Sequence, residues 1–148
     1  AITVAVAVAR VLIVDDNVDV AEILARLLGR DGFETRVAYD ATSALRVAAE
    51  WVPQVAVVDI GLPDLDGYEL AGRLRRAVSA AGAAALYLIA TTGYHLQGDR
   101  RKSHEAGFDE HMIKPFDIRD LRRTIDERSK HAAEIASPSR RTCRGSWR

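Results

Sequence analysis

Residues 54–67 read QVAVVDIGLPDLDG, and the rest of the chain can be interpreted from this segment. Val55, Val57 and Val58 belong to an apolar run that favours a buried strand, and the run stops at Asp59. The turn that follows contains Gly and Pro, which disfavour continuation of a strand or a helix. Asp59 is therefore predicted at the exit of a strand. Where parallel strands alternate with helices, such exits border a ligand crevice.

Strand and helix patterns alternate from residue 10 to residue 128. Segments that predict strands are residues 10–14, 33–38, 55–58, 86–90 and 108–113. Amphipathic segments between and after them predict five helices. This alternation predicts a flavodoxin-like, doubly wound α/β fold with a five-stranded parallel sheet in the order 2-1-3-4-5. That order brings the exits of the first and third strands together beside the switch point of the sheet.

Composition indicates a globular domain with an uneven charge distribution. The 148 residues suffice for one domain with its own core. The formal net charge is zero, but residues 128–148 contain six basic residues and one acid, a local +5 that leaves −5 on the body. An acidic body does not favour nucleic acid as the main partner. No apolar run reaches the ~18 residues of a membrane span. The single Cys143 excludes an internal disulfide and favours a reducing cytoplasm.

The two ends of the chain differ in composition from the predicted domain. Residues 1–9 are small and apolar, and we interpret them as a lead-in or an extra strand, because they lack the basic opening of a signal peptide. Residues 129–148 have no apolar period, so we predict a disordered basic tail. We interpret this tail as a linker or an expression-boundary remnant rather than as a contact to nucleic acid or a membrane surface. The missing initial Met and the abrupt tail favour excision from a larger protein.

Polar side chains stand at the exits of the predicted strands. They are Asp15 and Asp16 after the first strand, Asp59 on the third, Thr92 after the fourth and Lys114 after the fifth. Gathered carboxylates repel one another unless a cation neutralises them, and oxygen ligands suit Mg²⁺. Metal, ammonium and hydroxyl together match what a phosphoryl group requires. Asp59 is the predicted nucleophile, since a carboxylate can form an acyl phosphate.

Four segments carry a family resemblance. They are Val14-Asp15-Asp16, Asp59 with the loop of residues 62–67, Thr92-Gly93-Tyr94 and Lys114-Pro115-Phe116. In this order and spacing they resemble the receiver domain of two-component response regulators, over residues 10–128. The resemblance implies that Asp59 takes a phosphoryl group from a phosphohistidine on a histidine kinase or a histidine phosphotransfer protein. The loop and the Thr-Gly-Tyr segment most resemble receivers attached to hybrid sensor histidine kinases.

The resemblance also implies how the metal is held. Asp16, Asp59 and the backbone carbonyl of Gly61 are expected to ligate Mg²⁺ directly, and Asp15 is expected to act through water. The domain is then a signalling module that assists its own phosphorylation and dephosphorylation rather than an enzyme. We expect it to be a monomer or a weak dimer.

The implied switch involves Thr92 and Lys114. Thr92 is expected to hydrogen-bond a phosphoryl oxygen and shift on activation, and Lys114 to pair with phosphorylated Asp59. The change is expected to reach a downstream protein through the fourth helix, fifth strand and fifth helix. His111 stands where the family commonly has an aromatic that rotates inward, so it either swings as a switch or is a partly exposed polar residue without that role. A cis peptide bond is implied before Pro115.

Two other functions are compatible with a fold of this kind. One is a Mg²⁺-dependent phosphatase with an aspartyl-phosphate intermediate, which usually needs a second carboxylate two residues beyond the nucleophile. Gly61 occupies that position. The other is an interaction module that is not phosphorylated, which the complete set of acids, threonine and lysine argues against.

Overall fold

The computed structural model describes residues 9–83, 85–93 and 100–136. In these residues five strands alternate with five helices. Their bounds are β1 Arg10–Val14, α1 Val18–Arg30, β2 Glu34–Ala38, α2 Ala41–Trp51, β3 Val55–Asp59, α3 Gly67–Ala80, β4 Tyr87–Thr92, α4 Arg100–Ala106, β5 Glu110–Ile113 and α5 Ile118–Ala136.

The strands form one parallel sheet in the order β2-β1-β3-β4-β5. The predicted fold class and strand order are therefore confirmed. The central strand pair is in register from Val11 opposite Val55 to Val14 opposite Val58, so β1 and β3 end side by side. Two polar residues consequently follow the sheet at neighbouring points, Asp15 after β1 and Asp59 at the end of β3.

The core lies on the sheet because its central strands are apolar on both faces. All of Val11 to Val14 and Val55 to Val58 are buried, as expected for parallel strands covered on both sides. Helix α3 contributes a stripe at helical spacing, Leu70, Leu74 and Val78, which is also buried.

Side-chain caps and a left-handed residue fix the helix ends. Asn17 caps α1 by accepting from the Val20 backbone N–H at 3.2 Å, and Asp40 caps α2 by accepting from Ser43 N–H at 2.8 Å. Helix α2 stops where Val52 adopts a φ of +55°. The residue after Val52 is Pro53, and a proline disfavours helical geometry in the residue before it.

The last helix belongs to a second compact unit, which begins at Asp117. This helix, α5, continues to Ala136 and so includes the first eight residues of the predicted tail, residues 129–136. The extension is consistent with the high helix propensity of Ala132, Ala133 and Ala136. Residues 137–148 of the predicted tail, and residues 1–8 of the predicted lead-in, lie outside the described residues. Within the described ranges, none of the helices combines the length and the hydropathy of a membrane span.

Candidate functional site

Three carboxylates meet at the carboxyl end of the sheet. Asp15, Asp16 and Asp59 each offer an oxygen, and these oxygens lie within 4.8 Å of one another. Asp15 is 3% exposed, whereas Asp16 is exposed to solvent. The convergence predicted from strand order is thus present. It follows from the parallel register of β1 and β3, which places their exits at the same rim.

Lys114 connects two of these acids. Its Nζ donates to Asp15 Oδ2 at 2.7 Å and to Asp59 Oδ2 at 3.3 Å. The lysine reaches the site because β5 ends beside β4, where the Lys114 backbone N–H donates to the Thr92 carbonyl at 2.8 Å. The peptide bond from Lys114 to Pro115 is cis, as the family resemblance implied. The resemblance implies a pair between Lys114 and phosphorylated Asp59; in this unphosphorylated chain the shorter contact of Lys114 is with Asp15.

The titration behaviour of the cluster reflects burial. Burial raises the pKa of Asp15, and the hydrogen bonds from Lys114 and from the Asn17 backbone oppose this rise without cancelling it. For Lys114, burial lowers the pKa, but hydrogen bonds and charges from Asp15 and Asp59 outweigh burial and raise it. The lysine is therefore charged at neutral pH. The raised pKa of Asp15 indicates that one ammonium does not fully compensate the buried acid.

Two hydrogen bonds from backbone N–H groups hold the loop after β3 in place. At the base, the Gly67 backbone N–H donates to the Ile60 carbonyl at 3.3 Å, and a Cβ built on Gly67 would lie 2.6 Å from Ile60 Cα. Near Asp59, the Gly61 N–H donates to Asp59 Oδ1 at 3.0 Å. The loop therefore holds the Gly61 backbone beside the acidic cluster, and only a residue without a Cβ fits at position 67.

Asp64, at the tip of this loop, contacts the start of α2, and the sequence did not predict this contact. Its carboxylate accepts from the Ala41 N–H at 3.0 Å and from the Thr42 N–H at 3.3 Å, at the start of α2. These bonds lower the pKa of Asp64, the one from Ala41 most. Asp64 and Ala41 are distant in sequence, so no local pattern signals the contact.

Thr92 and His111 form a buried pair beside the acids. Thr92 is fully buried and His111 is 8% exposed. Thr92 Oγ1 lies 3.0 Å from His111 Nε2. The expected partial exposure of His111 is wrong, because the imidazole is buried and lies within hydrogen-bond distance of Thr92. A switch role for His111 stays a prediction. The other hydroxyl at this strand end, Thr91 Oγ1, donates to the Val58 carbonyl at 3.4 Å.

The donor set suits a hard cation and an anionic guest. Carboxylate oxygens, which three acids offer here, are the ligand type that Mg²⁺ and Ca²⁺ prefer. A single ammonium and a buried hydroxyl stand at adjacent strand ends. A site of this composition can hold a cation and an oxyanion together.

Comparison with known sequences supports the same interpretation. The response regulator receiver domain family matches residues 11–126. An uncharacterized 14.6 kDa protein from Leptolyngbya boryana is 32% identical over 117 residues, covering 79% of this chain and 87% of that protein. The transcriptional regulatory protein PrrA of Mycobacterium tuberculosis is 34% identical over 133 residues, covering 90% of this chain. The chain spans 55% of the length of PrrA.

Solved structures show the same fold. A CheY-like response regulator receiver domain protein from Methanospirillum hungatei is 28% identical with a TM-score of 0.77, covering 88% of this chain and all of that one. A response regulator protein from Burkholderia pseudomallei with a phosphorylated aspartic acid, calcium ion and citrate is 25% identical with a TM-score of 0.70, covering 86% of this chain and 73% of that one. The chain therefore belongs to the response regulator receiver domain family.

Proposed function

We propose that Asp59 is the phosphoacceptor and takes its phosphoryl group from a phosphohistidine of a histidine kinase or a histidine phosphotransfer protein. The observation that carries this proposal is the surroundings of the Asp59 carboxylate. It shares a cluster with two further acids, and Lys114 Nζ lies 3.3 Å from its Oδ2. A carboxylate between cation ligands and an ammonium is suited to carry a dianionic phosphoryl group.

Mg²⁺ is the proposed cation of this cluster. The three carboxylates fit the ion because they offer oxygens within 4.8 Å of one another. Asp16, Asp59 and the carbonyl of Gly61 would hold it, with Asp15 acting through water. When bound, the ion would offset the charge of the acids and of the phosphoryl oxygens. The phosphorylated aspartic acid and calcium ion of the Burkholderia protein support a divalent cation beside a phosphoaspartate.

The proposed transfer uses this chain's own groups in defined roles. One carboxylate oxygen of Asp59 attacks the phosphorus of the phosphohistidine. The new P–O bond forms as the P–N bond breaks, and the donor imidazole nitrogen keeps the electron pair. Lys114 pairs with the added negative charge, and the Thr92 hydroxyl donates to a phosphoryl oxygen. Gly61 carries no side chain, so a carboxylate that would activate water for phosphatase turnover is missing at that position.

The proposed output is a change at the surface near α4 and β5, which a downstream protein recognises. Thr92 and His111 lie on β4 and β5 and connect the acidic site to this region. The part of the output surface expected on α5 is a prediction from the family resemblance. The net charge of −5 over residues 1–127 favours a protein rather than nucleic acid as the direct binding partner. A cytoplasmic location, a monomeric or weakly dimeric state and a hybrid kinase as parent protein complete the proposal.

Phosphorylation by a small phosphodonor tests the proposal. The chain is incubated with acetyl phosphate, with Mg²⁺ or with a chelator, and its intact mass is measured. We expect a gain of one phosphoryl group with Mg²⁺, and no gain with the chelator or in Asp59→Asn. Asp66→Asn is the matched control, because Asn still caps α3 at this position and the change removes a loop acid outside the cluster.

Two other outcomes would favour a different function, and a third would refute the proposal. No gain of mass in the folded wild-type chain would favour the interaction module that is not phosphorylated. Steady-state hydrolysis of a small phosphate ester by the wild-type chain, lost in Asp59→Asn, would favour the phosphatase. An equal gain in wild type and in Asp59→Asn would place the modification elsewhere and refute the proposal.

A further inference from the structure

The hydroxyl of Thr92 has a partner before any phosphoryl group is present. Thr92 Oγ1 lies 3.0 Å from His111 Nε2, and no other hydrogen bond to this hydroxyl occurs within the described part of the chain. Ala90 of β4 pairs with His111 of β5, and Thr92 lies two residues beyond Ala90. Side chains two residues apart on a strand share a face. The bond therefore joins two adjacent strands beside the acidic site.

The hydroxyl of Thr92 can take either role in this hydrogen bond. Thr92 has one hydrogen to donate and two lone pairs that can accept. A buried donor without an acceptor is less often tolerated than an acceptor with an unfilled lone pair. The roles in this bond depend on the tautomer of His111, and the tautomer with an unprotonated Nε2 gives the hydroxyl hydrogen an acceptor.

We infer that His111 is a positioning residue that restrains phosphorylation by holding the Thr92 hydroxyl hydrogen in the resting state. The inference rests on the proposed function, in which the same hydrogen is donated to a phosphoryl oxygen on Asp59. One hydrogen cannot serve both acceptors at full strength. Thr92 must leave His111 when the phosphoryl group arrives, and the resting state is favoured by the bond that is lost.

Removal of this bond should therefore strengthen binding of a phosphoryl group. A side chain of similar shape at position 111 that cannot accept a hydrogen bond destabilises the resting state and leaves the bond to the phosphoryl group intact. The net strength of an ordinary hydrogen bond corresponds to a change of about fivefold in the apparent affinity.

Beryllium fluoride, a tetrahedral analogue of a phosphoryl group, provides the test. Its affinity for the Mg²⁺-loaded full chain is measured by calorimetry in wild type, His111→Phe and His111→Gln. We expect about fivefold tighter binding in His111→Phe. We expect His111→Gln to stay close to wild type, because an amide can again accept from Thr92. A purely structural role of His111 would weaken binding or leave it unchanged in His111→Phe.

A double-mutant cycle identifies the hydroxyl as the route. In a Thr92→Val background, His111→Phe should no longer tighten binding, since the hydrogen bond is already absent. Equal tightening in both backgrounds would overturn the inference. If His111→Phe does not fold, the nitrogen-15 resonance of His111 Nε2 in wild type decides instead. An unprotonated Nε2 that changes on addition of beryllium fluoride is expected, and a protonated Nε2 would overturn the inference.

The experiment separates this inference from the proposed function. If wild type does not bind beryllium fluoride with Mg²⁺, the proposed function itself fails. If wild type binds and His111→Phe binds no more tightly, the phosphoacceptor role stands and the restraint by His111 is refuted.

Discussion

Two glycines of the same helix are predicted to respond in opposite ways to substitution by alanine. Gly67 begins α3 and lies against Ile60, whereas Gly72 lies within the helix. A Cβ at position 67 would lie 2.6 Å from Ile60 Cα and 2.9 Å from Ile60 O, and both are backbone atoms. A Cβ at position 72 would meet the end of the Arg76 side chain at 3.5 Å, which is ordinary contact.

The magnitude for Gly67→Ala follows from the displacement it requires. To reach 3.4 Å, the edge of ordinary contact, the Cβ must move 3.4 − 2.6 = 0.8 Å from Ile60 Cα. The hydrogen bond from Gly67 N–H to Ile60 O is already 3.3 Å long and would be lost. Overpacking costs about 1–3 kcal/mol and the lost bond about 1 kcal/mol, while alanine returns up to about 1 kcal/mol of helix propensity. We expect a net loss of about 1–3 kcal/mol.

Gly72→Ala is the matched control for the same chemical change. It should stabilise the chain by about 0.5–1 kcal/mol, because alanine is the better helix former and meets no backbone. Urea unfolding followed by circular dichroism measures both variants. Gly67→Ala should also reduce phosphorylation by acetyl phosphate, since the loop next to Asp59 must move. Equal stability of Gly67→Ala and wild type, or a loss as large in Gly72→Ala, would refute the reasoning.

Three further predictions concern other parts of the molecule. Leu74→Ala should lower the free energy of unfolding by about 2–5 kcal/mol in urea titrations, because Leu74 is fully buried, and a loss below about 1 kcal/mol would contradict its place in the core. Lys114→Gln should tighten Mg²⁺ binding by about tenfold in calorimetry. The ammonium of Lys114 lies 2.7 Å from Asp15 and 3.3 Å from Asp59, so it repels a cation held by these acids. An unchanged Mg²⁺ affinity would contradict this expectation. The pKa of Asp64 is lowered from 3.8 by the Ala41 and Thr42 N–H groups, so its stabilisation is present above that pH and is lost as pH falls through the lower folded-state value. Asp64→Asn should therefore flatten the acid side of the stability profile, and parallel thermal-melting profiles for variant and wild type would count against it.

The outline of the fold could be predicted because its signals are local. Apolar runs that end in polar residues marked the exits of β1, β3 and β4, and alternation with amphipathic segments implied a parallel sheet. The strand order then brought Asp15, Asp16 and Asp59 together. These inferences need only residue type and spacing, which the chain displays directly.

Contacts between distant segments could not be predicted in the same way. The bond between Thr92 and His111 depends on the register of β4 and β5 and on a side-chain rotamer, and neither is encoded in local periodicity. The cap that Asp64 gives to α2 joins residues on separate elements. The last helix is predicted to end near Arg128, because the residues that follow show no apolar period. The helix continues to Ala136, consistent with the helix propensity of the alanines in this segment.

Chemical identification of the modified residue tests the central claim most directly. The chain is treated with acetyl phosphate and Mg²⁺, reduced with borohydride to convert an aspartyl phosphate to homoserine, and digested for peptide mass spectrometry. We expect homoserine at position 59 when Mg²⁺ is present and none when Mg²⁺ is chelated. Homoserine at position 15 or 16 with Asp59 unchanged, or no homoserine in a folded chain, would contradict it.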